Sequence, residues 1–263
     1  MRGLSLTVYE WGDPAGPPAL LLHSLAAHSH WWDWVAPLLA VHHHVVALDF
    51  RGHGASAWAD RYPFDEYVAD AIAALDVLGW RAPLVLGHSM GGYVSALLAA
   101  RHPDRVRGLV IADMLTGWSD EMDRRAQAQA GRAPAESPNA AAIGERFRLA
   151  PPDTTAPADR LRHLGEAGAA ERTPGAWTAA FDRRVFLHPP PDPWPFLGDI
   201  GAPTLVVRGE GSIVMRRDAA ERVARAVRHG EFAEIPAAYH HLIVDAPDAF
   251  ARTVLGWRAR FAA

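Results

Sequence analysis

Short apolar runs ending at turn residues recur along the chain, with amphipathic stretches between them. Leu20 to His23, Val45 to Asp49, Leu84 to Gly87, Leu109 to Ala112 and Leu205 to Val207 each predict a strand apolar on both faces. Such strands suit a parallel sheet covered by helices on both sides. Helical spacing follows in Asp65 to Leu78, Gly91 to Arg101, Asp218 to Val227 and Asp248 to Arg260. Within Asp65 to Leu78, the apolar positions Val68, Ile72, Leu75 and Leu78 share one face. Strands alternating with helices predict an α/β fold, a doubly wound and mostly parallel sheet preceded by an antiparallel strand over Leu4 to Tyr9.

The alternation stops between Thr116 and Pro195, where no strand-like run occurs. Helical fragments are expected at Asp120 to Ala130, Ala140 to Leu149 and Ala176 to Val185, separated by joints such as Pro151-Pro152 and Pro189-Pro190-Pro191. Trp118, Phe147, Trp177, Phe181 and Phe186 need burial, so this stretch predicts a helical cap inserted into a core made of residues 1–115 and 196–263.

Composition narrows the chemistry. The 263 residues are 49% hydrophobic and 21% charged, enough to bury a substantial core. With 26 basic and 30 acidic residues, no basic excess exists to neutralise phosphates, so neither nucleic acid nor an anionic membrane is the expected partner. The absence of cysteine removes disulfides, thiolate metal sites and a thiol nucleophile together. Met1 to Trp11 carries one Arg and alternating residues without a long apolar stretch, which reads as a strand; a cytoplasmic protein is the expectation. The triplet His42-His43-His44 lies where a surface turn enters a strand, without carboxylates at a metal-binding spacing. No metal site and no cofactor are expected.

The sharpest signal is Gly87-His88-Ser89-Met90-Gly91-Gly92, which ends one strand and opens a helix. A turn this sharp holds its central residue in a strained conformation and needs small residues two before and two after it. It lifts the Ser89 hydroxyl to the carboxyl end of the sheet, beside helix amides that stabilise negative charge. With Asp49-Phe50-Arg51-Gly52-His53-Gly54-Ala55-Ser56 ahead of it, this chain resembles the α/β-hydrolase family over nearly its whole length outside the insertion.

The resemblance implies a serine hydrolase with Ser89 as nucleophile. It implies a base on the loop after the last strand, where Tyr239-His240-His241 stands, with His240 favoured over His241. The family's usual acid follows the strand written here as Thr204 to Arg208, but Gly209-Glu210-Gly211-Ser212-Ile213 puts Ser212 in that slot. Some members carry the acid one strand earlier, which implies Asp113 at the end of Leu109 to Ala112. Glu210 is the second candidate, and a dyad without an acid the third. The oxyanion hole falls to the amides of Met90 and Leu25, the latter in His23-Ser24-Leu25, which looks like the loop of enol-lactonases. Trp31, Trp118 and Trp177 are the candidate substrate-binding aromatics.

The expected substrate is a small carboxylic ester or lactone, in an assembly of unknown size. A haloalkane dehalogenase or epoxide hydrolase is disfavoured, because those relatives use a carboxylate where Ser89 stands. A carbon–carbon bond hydrolase of dienoate-type substrates, a cofactor-independent dioxygenase and a non-catalytic ligand-binding protein remain alternatives.

Overall fold

The computed structural model describes residues 3–260. Met1 and Arg2, part of the N-terminal stretch read above as a strand, lie outside the described residues, as do 261–263. The core begins with β1 (Val8–Trp11) and β2 (Pro18–Leu22), then a short α1 (Ala36–Ala40) and β3 (His44–Leu48). There follow α2 (Phe64–Val77), β4 (Leu84–His88), α3 (Met90–Arg101) and β5 (Gly108–Ala112). Next come α4 (Asp120–Ala130), α5 (Ala140–Arg146), α6 (Ala158–Ala167), β6 (Ala169–Thr173), β7 (Ala176–Ala179) and α7 (Trp194–Leu197). The chain closes with β8 (Thr204–Gly209), α8 (Arg217–Ala226), β9 (Gly230–Ile235), α9 (Leu242–Asp245) and α10 (Pro247–Ala259).

Seven strands form one sheet in the order β1-β3-β2-β4-β5-β8-β9, parallel except for β1. The interior strands are buried on both faces, as their continuous apolar runs require. One face packs on α2, α3 and α8, and the other on α1 and α10. In α2 the buried positions Phe64, Tyr67, Val68, Ala71, Ala74 and Leu75 repeat at helical spacing. No helix among the described residues is long and apolar enough to cross a membrane.

Several elements differ from the sequence pattern, among them α6, a helix where the proline-rich pattern offered none. The first strand is Val8–Trp11, shifted from Leu4 to Tyr9, because pairing with β3 begins at Val8↔Leu48; Thr7 extends the ladder by accepting from the Asp49 amide at 3.0 Å. The edge strand β9 is only half-buried and carries Glu231 and Glu234, so it offers no apolar run to read. The expected helix over Ala176 to Val185 is replaced by an antiparallel hairpin of β6 and β7, followed by a single 3₁₀ turn over Arg183–Leu187. Pro174-Gly175 makes its turn, with Gly175 at φ 79°, and that dipeptide is the local signal for a hairpin here.

The 116–195 segment docks on loops at the carboxyl ends of the core strands. Asp182 donates its amide to Gly52 O at 2.8 Å and accepts from the Tyr62 hydroxyl at 2.6 Å. Tyr93 on α3 donates to Pro191 O at 2.8 Å, and His28 donates through Nε2 to Leu164 O at 3.0 Å.

Under these loops lies a buried polar layer. Asp49 accepts from the amides of Ser29 (2.6 Å) and Ala55 (2.9 Å), tying the loop after β2 to the loop after β3. His23 donates through Nδ1 to Ser24 O at 2.7 Å and accepts the Phe50 amide on Nε2 at 3.0 Å, a pattern only the neutral ring can make. His53 donates through Nδ1 to Arg51 O at 3.0 Å. Burial pushes His23 and His53 each down to about 3.

An acid limit on stability follows. Between pH 6.5 and 3 the unfolded chain protonates both rings while the folded one does not, so stability is full above about 6.5 and falls as pH drops. Each ring contributes a slope of about 1.4 kcal/mol per pH unit at most. Urea unfolding of wild type and His53→Gln between pH 7.5 and 4.5 should show the variant with the shallower loss; parallel curves would contradict the buried neutral state of His53.

Candidate active site

Ser89 sits between β4 and α3 at φ 54°, ψ −113°, a conformation costing about 1–3 kcal/mol that the surrounding packing must hold. Its amide donates to Ala112 O at 2.8 Å, and its carbonyl accepts from the Tyr93 amide at 3.0 Å. The flanking glycines are obligatory for space. A Cβ on Gly91 would lie 2.1 Å from Leu22 O, and one on Gly87 2.1 Å from Gly91 O. The turn is therefore wedged against the end of β2, where the loop that carries Leu25 begins.

The structure brings Ser89, His240 and Asp113 together. His240 Nδ1 lies 2.9 Å from Asp113 Oδ1, and His240 Nε2 lies 3.1 Å from Ser89 Oγ. An ionised carboxylate only accepts, so Nδ1 carries the proton and Nε2 is free to accept from the serine hydroxyl. Asp113 is fully buried and His240 almost so, while Ser89 is half-exposed. The geometry is that of a hydroxyl poised to lose its proton to an oriented imidazole.

Sheet register explains why an acid after β5 reaches this point. β5 and β8 are neighbours, with Ala112 opposite Val207, so the ends of both strands open on the same place. Asp113, at φ 48°, anchors there by donating its amide to Val207 O at 2.8 Å. Its Oδ2 accepts the Gly209 amide at 3.0 Å, and its Oδ1 accepts the Ser212 hydroxyl at 2.6 Å as well as His240. Ser212, standing in the slot where the family resemblance places an acid, thus donates to the carboxylate at the end of the neighbouring strand. No local pattern signals that bond, which joins residues 99 positions apart. Glu210 is exposed and accepts the Ala237 amide at 3.0 Å, away from the imidazole.

The loop bearing His240 is held from below by Asp245, which accepts the Tyr239 amide at 2.8 Å and the Thr155 amide at 3.1 Å. His88 donates through Nε2 to His240 O at 2.8 Å, a positioning contact hidden inside the nucleophile motif. Burial, with His240 and His241 beside it, holds His88 well below the ordinary histidine range. His241 donates through Nε2 to Pro151 O at 3.1 Å and is pushed down to about 3, chiefly by burial. It packs beside His240 with ring centroids 4.8 Å apart and makes no hydrogen bond to Ser89.

Among the described residues, no hydrogen bond is formed by the amides of Leu25 or Met90, the two donors expected to hold an oxyanion. Met90 opens α3 and Leu25 follows His23-Ser24, the loop that the neutral His23 ring pins to Phe50. Trp31, expected as a substrate contact, is buried instead behind the histidines. It stacks on His88 at 6.2 Å and lies 5.3 Å from His241, which makes it a packing residue. Trp118 and Trp177 are half-buried on the inserted segment, and Trp177 exchanges both backbone hydrogen bonds with Ser137. Neither ring stacks on His240.

Comparison with known proteins fits this architecture. The family model described as alpha/beta hydrolase fold matches residues 17–151, just over half the chain. A haloalkane dehalogenase of Bradyrhizobium diazoefficiens is 29% identical over 98% of this chain and 92% of its own. A serine hydrolase-like protein of Danio rerio is 38% identical over 39% of this chain, a match spanning only 32% of that relative's length. Among solved structures, an E-2-(acetamidomethylene)succinate hydrolase superposes with a TM-score of 0.86 at 24% identity, covering 97% of this chain and 96% of the other. Family match, sheet order and the elbow at Ser89 agree: the chain belongs to the α/β-hydrolase fold family.

Proposed function

We propose that the protein is a serine hydrolase that cleaves a small carboxylic ester or lactone through an acyl-enzyme. The observation that carries this reading is the unbroken chain from Ser89 Oγ through the His240 ring to the buried Asp113 carboxylate. Ser89 Oγ bonds to the substrate carbonyl carbon while its proton passes to His240 Nε2. The carbonyl oxygen gains the negative charge and is held by the Leu25 and Met90 amides. Collapse breaks the bond to the leaving oxygen, which takes the proton back from Nε2; in a lactone that alcohol stays tethered to the acyl group. Water then loses a proton to His240, adds to the acyl carbon and releases the acid with Ser89 restored. Asp113 keeps Nδ1 protonated throughout and stabilises the imidazolium.

The likeness to a haloalkane dehalogenase raises a competing chemistry. A hydroxyl that displaced halide from carbon would leave an alkyl ether on Ser89, with no carbonyl for water to attack. The nucleophile's identity therefore favours acyl transfer over dehalogenation. The enol-lactonase of Burkholderia xenovorans, matched at a TM-score of 0.79 and 21% identity, shares the fold and leaves the acyl group open.

Turnover of a p-nitrophenyl ester series and of simple lactones tests the reading. Ser89→Ala should keep the fold and lose at least about 10⁴-fold in kcat. His240→Ala should lose about 10³-fold or more, and His241→Ala far less. Undiminished turnover in Ser89→Ala would end the proposal, and a reversal of the two histidines would move the base by one residue.

The acid assignment has its own series. Asp113→Asn should cut kcat by about 10³-fold or more, because the amide favours the wrong imidazole tautomer, while KM moves little. Ser212→Ala should cost about tenfold in kcat, equivalent to about 1.4 kcal/mol, by loosening the carboxylate. Glu210→Gln should stay within about twofold of wild type. A large loss in Glu210→Gln with a mild one in Asp113→Asn would contradict the arrangement.

A further inference from the structure

Away from Ser89, the loop after β2 meets α6 of the inserted segment in a compact group of ligand atoms. His30 belongs to a 3₁₀ turn over Ser29–Trp32 that ends at Asp33, and residues three apart eclipse on such a turn. Their side chains consequently face each other, with His30 Nδ1 3.0 Å from Asp33 Oδ2. His163 reaches across from α6, its Nε2 2.7 Å from the same oxygen. One ligand atom from each residue lies within 4.8 Å of the others. The carboxylate is partly exposed at 22%, so solvent reaches the group.

We propose that His30, Asp33 and His163 form a site for a borderline divalent cation, zinc above all, that clamps α6 to the loop following β2. Two imidazole nitrogens and one carboxylate oxygen are donors that zinc, nickel or copper accept readily, whereas calcium and magnesium prefer all-oxygen shells. Ligand atoms about 2.0–2.1 Å from a tetrahedral ion stand about 3.3 Å apart. The two nitrogens stand 3.0 and 2.7 Å from the shared carboxylate oxygen, and all three ligand atoms lie within 4.8 Å of one another, so a bound ion would replace these hydrogen bonds and push the oxygen back by about 0.3–0.6 Å. All three side chains are partly exposed, so water could fill the fourth position. Both imidazoles are steadied by neighbours: the Tyr9 ring lies 4.4 Å from His30, and Trp34 lies 5.2 Å from His163.

The second histidine group, His88, His240 and His241, is a poorer host. It is fully enclosed, and His240 spends both ring nitrogens on Asp113 and Ser89. The clamp also has a mechanical consequence. The same loop includes His28, which already bonds Leu164 O on α6, and begins at the His23-Ser24-Leu25 turn. A bound ion would add a second tie between the inserted segment and the loop that carries the Leu25 amide.

The test is calorimetric titration of metal-free full-length protein with Zn²⁺ at neutral pH in a non-chelating buffer, paired with thermal unfolding. One saturable site per chain and a raised Tm are expected. His163→Ala and Asp33→Asn, both at partly exposed positions, should weaken zinc binding by about 100-fold or more and lose the Tm gain, since even outer-shell changes cost about 10–100-fold. His241→Ala should bind zinc as wild type does. No saturable uptake, or wild-type affinity in the His163 and Asp33 variants with their folds intact by circular dichroism, would overturn the proposal. Loss confined to His241→Ala would also overturn it, by moving the ion to the other histidine group.

Discussion

The structure turns on the wedge at Ser89. Gly91 sits so close under the end of β2 that no side chain fits between it and the Leu22 and His23 carbonyls, and Gly87 is as close to Gly91. That contact holds the strained serine backbone and fixes α3 against β4. The polar layer beneath serves the same constraint: Asp49 ties the Ser29 and Ala55 amides, and His23 ties its own loop to Phe50. A buried ring that must stay neutral is the cost of that rigidity, and it appears as sensitivity to acid.

Beside this wedge, the carboxylate that reaches the His240 imidazole stands at the end of β5, the neighbour of β8. β5 and β8 run parallel and in register, so Asp113 and the 209–212 turn share one pocket of hydrogen bonds. With the carboxylate on β5, a hydroxyl at 212 supplies a donor where a second carboxylate would bring like-charge repulsion in a buried place. Ser212 is thus complementary to Asp113, and the two positions make sense only together.

Much of this was legible in the sequence, for identifiable reasons. The interior strands are legible because burial on both faces leaves continuous apolar runs, and the turn at Ser89 because it demands glycines at fixed offsets. His240 and Asp113 stand out by resemblance, and Asp113 also by ending an apolar run. What escaped was set by partners distant in sequence. The edge strand β9 is half-buried nearly throughout and carries two glutamates, the β6–β7 hairpin is short and without an apolar run, and Trp31 packs inward on His88. The contacts of Ser212 with Asp113 and of His163 with Asp33 span 99 and 130 residues, beyond any local pattern.

The central claim is that Ser89 is an activated nucleophile, and covalent capture tests it most directly. A fluorophosphonate reacts with a serine hydroxyl only where a base removes its proton and donors hold the developing oxyanion. Peptide mapping by mass spectrometry after such labelling should find one modified residue, Ser89, with the adduct abolished in His240→Ala. An unmodified Ser89, or labelling that is indifferent to His240, would contradict the account.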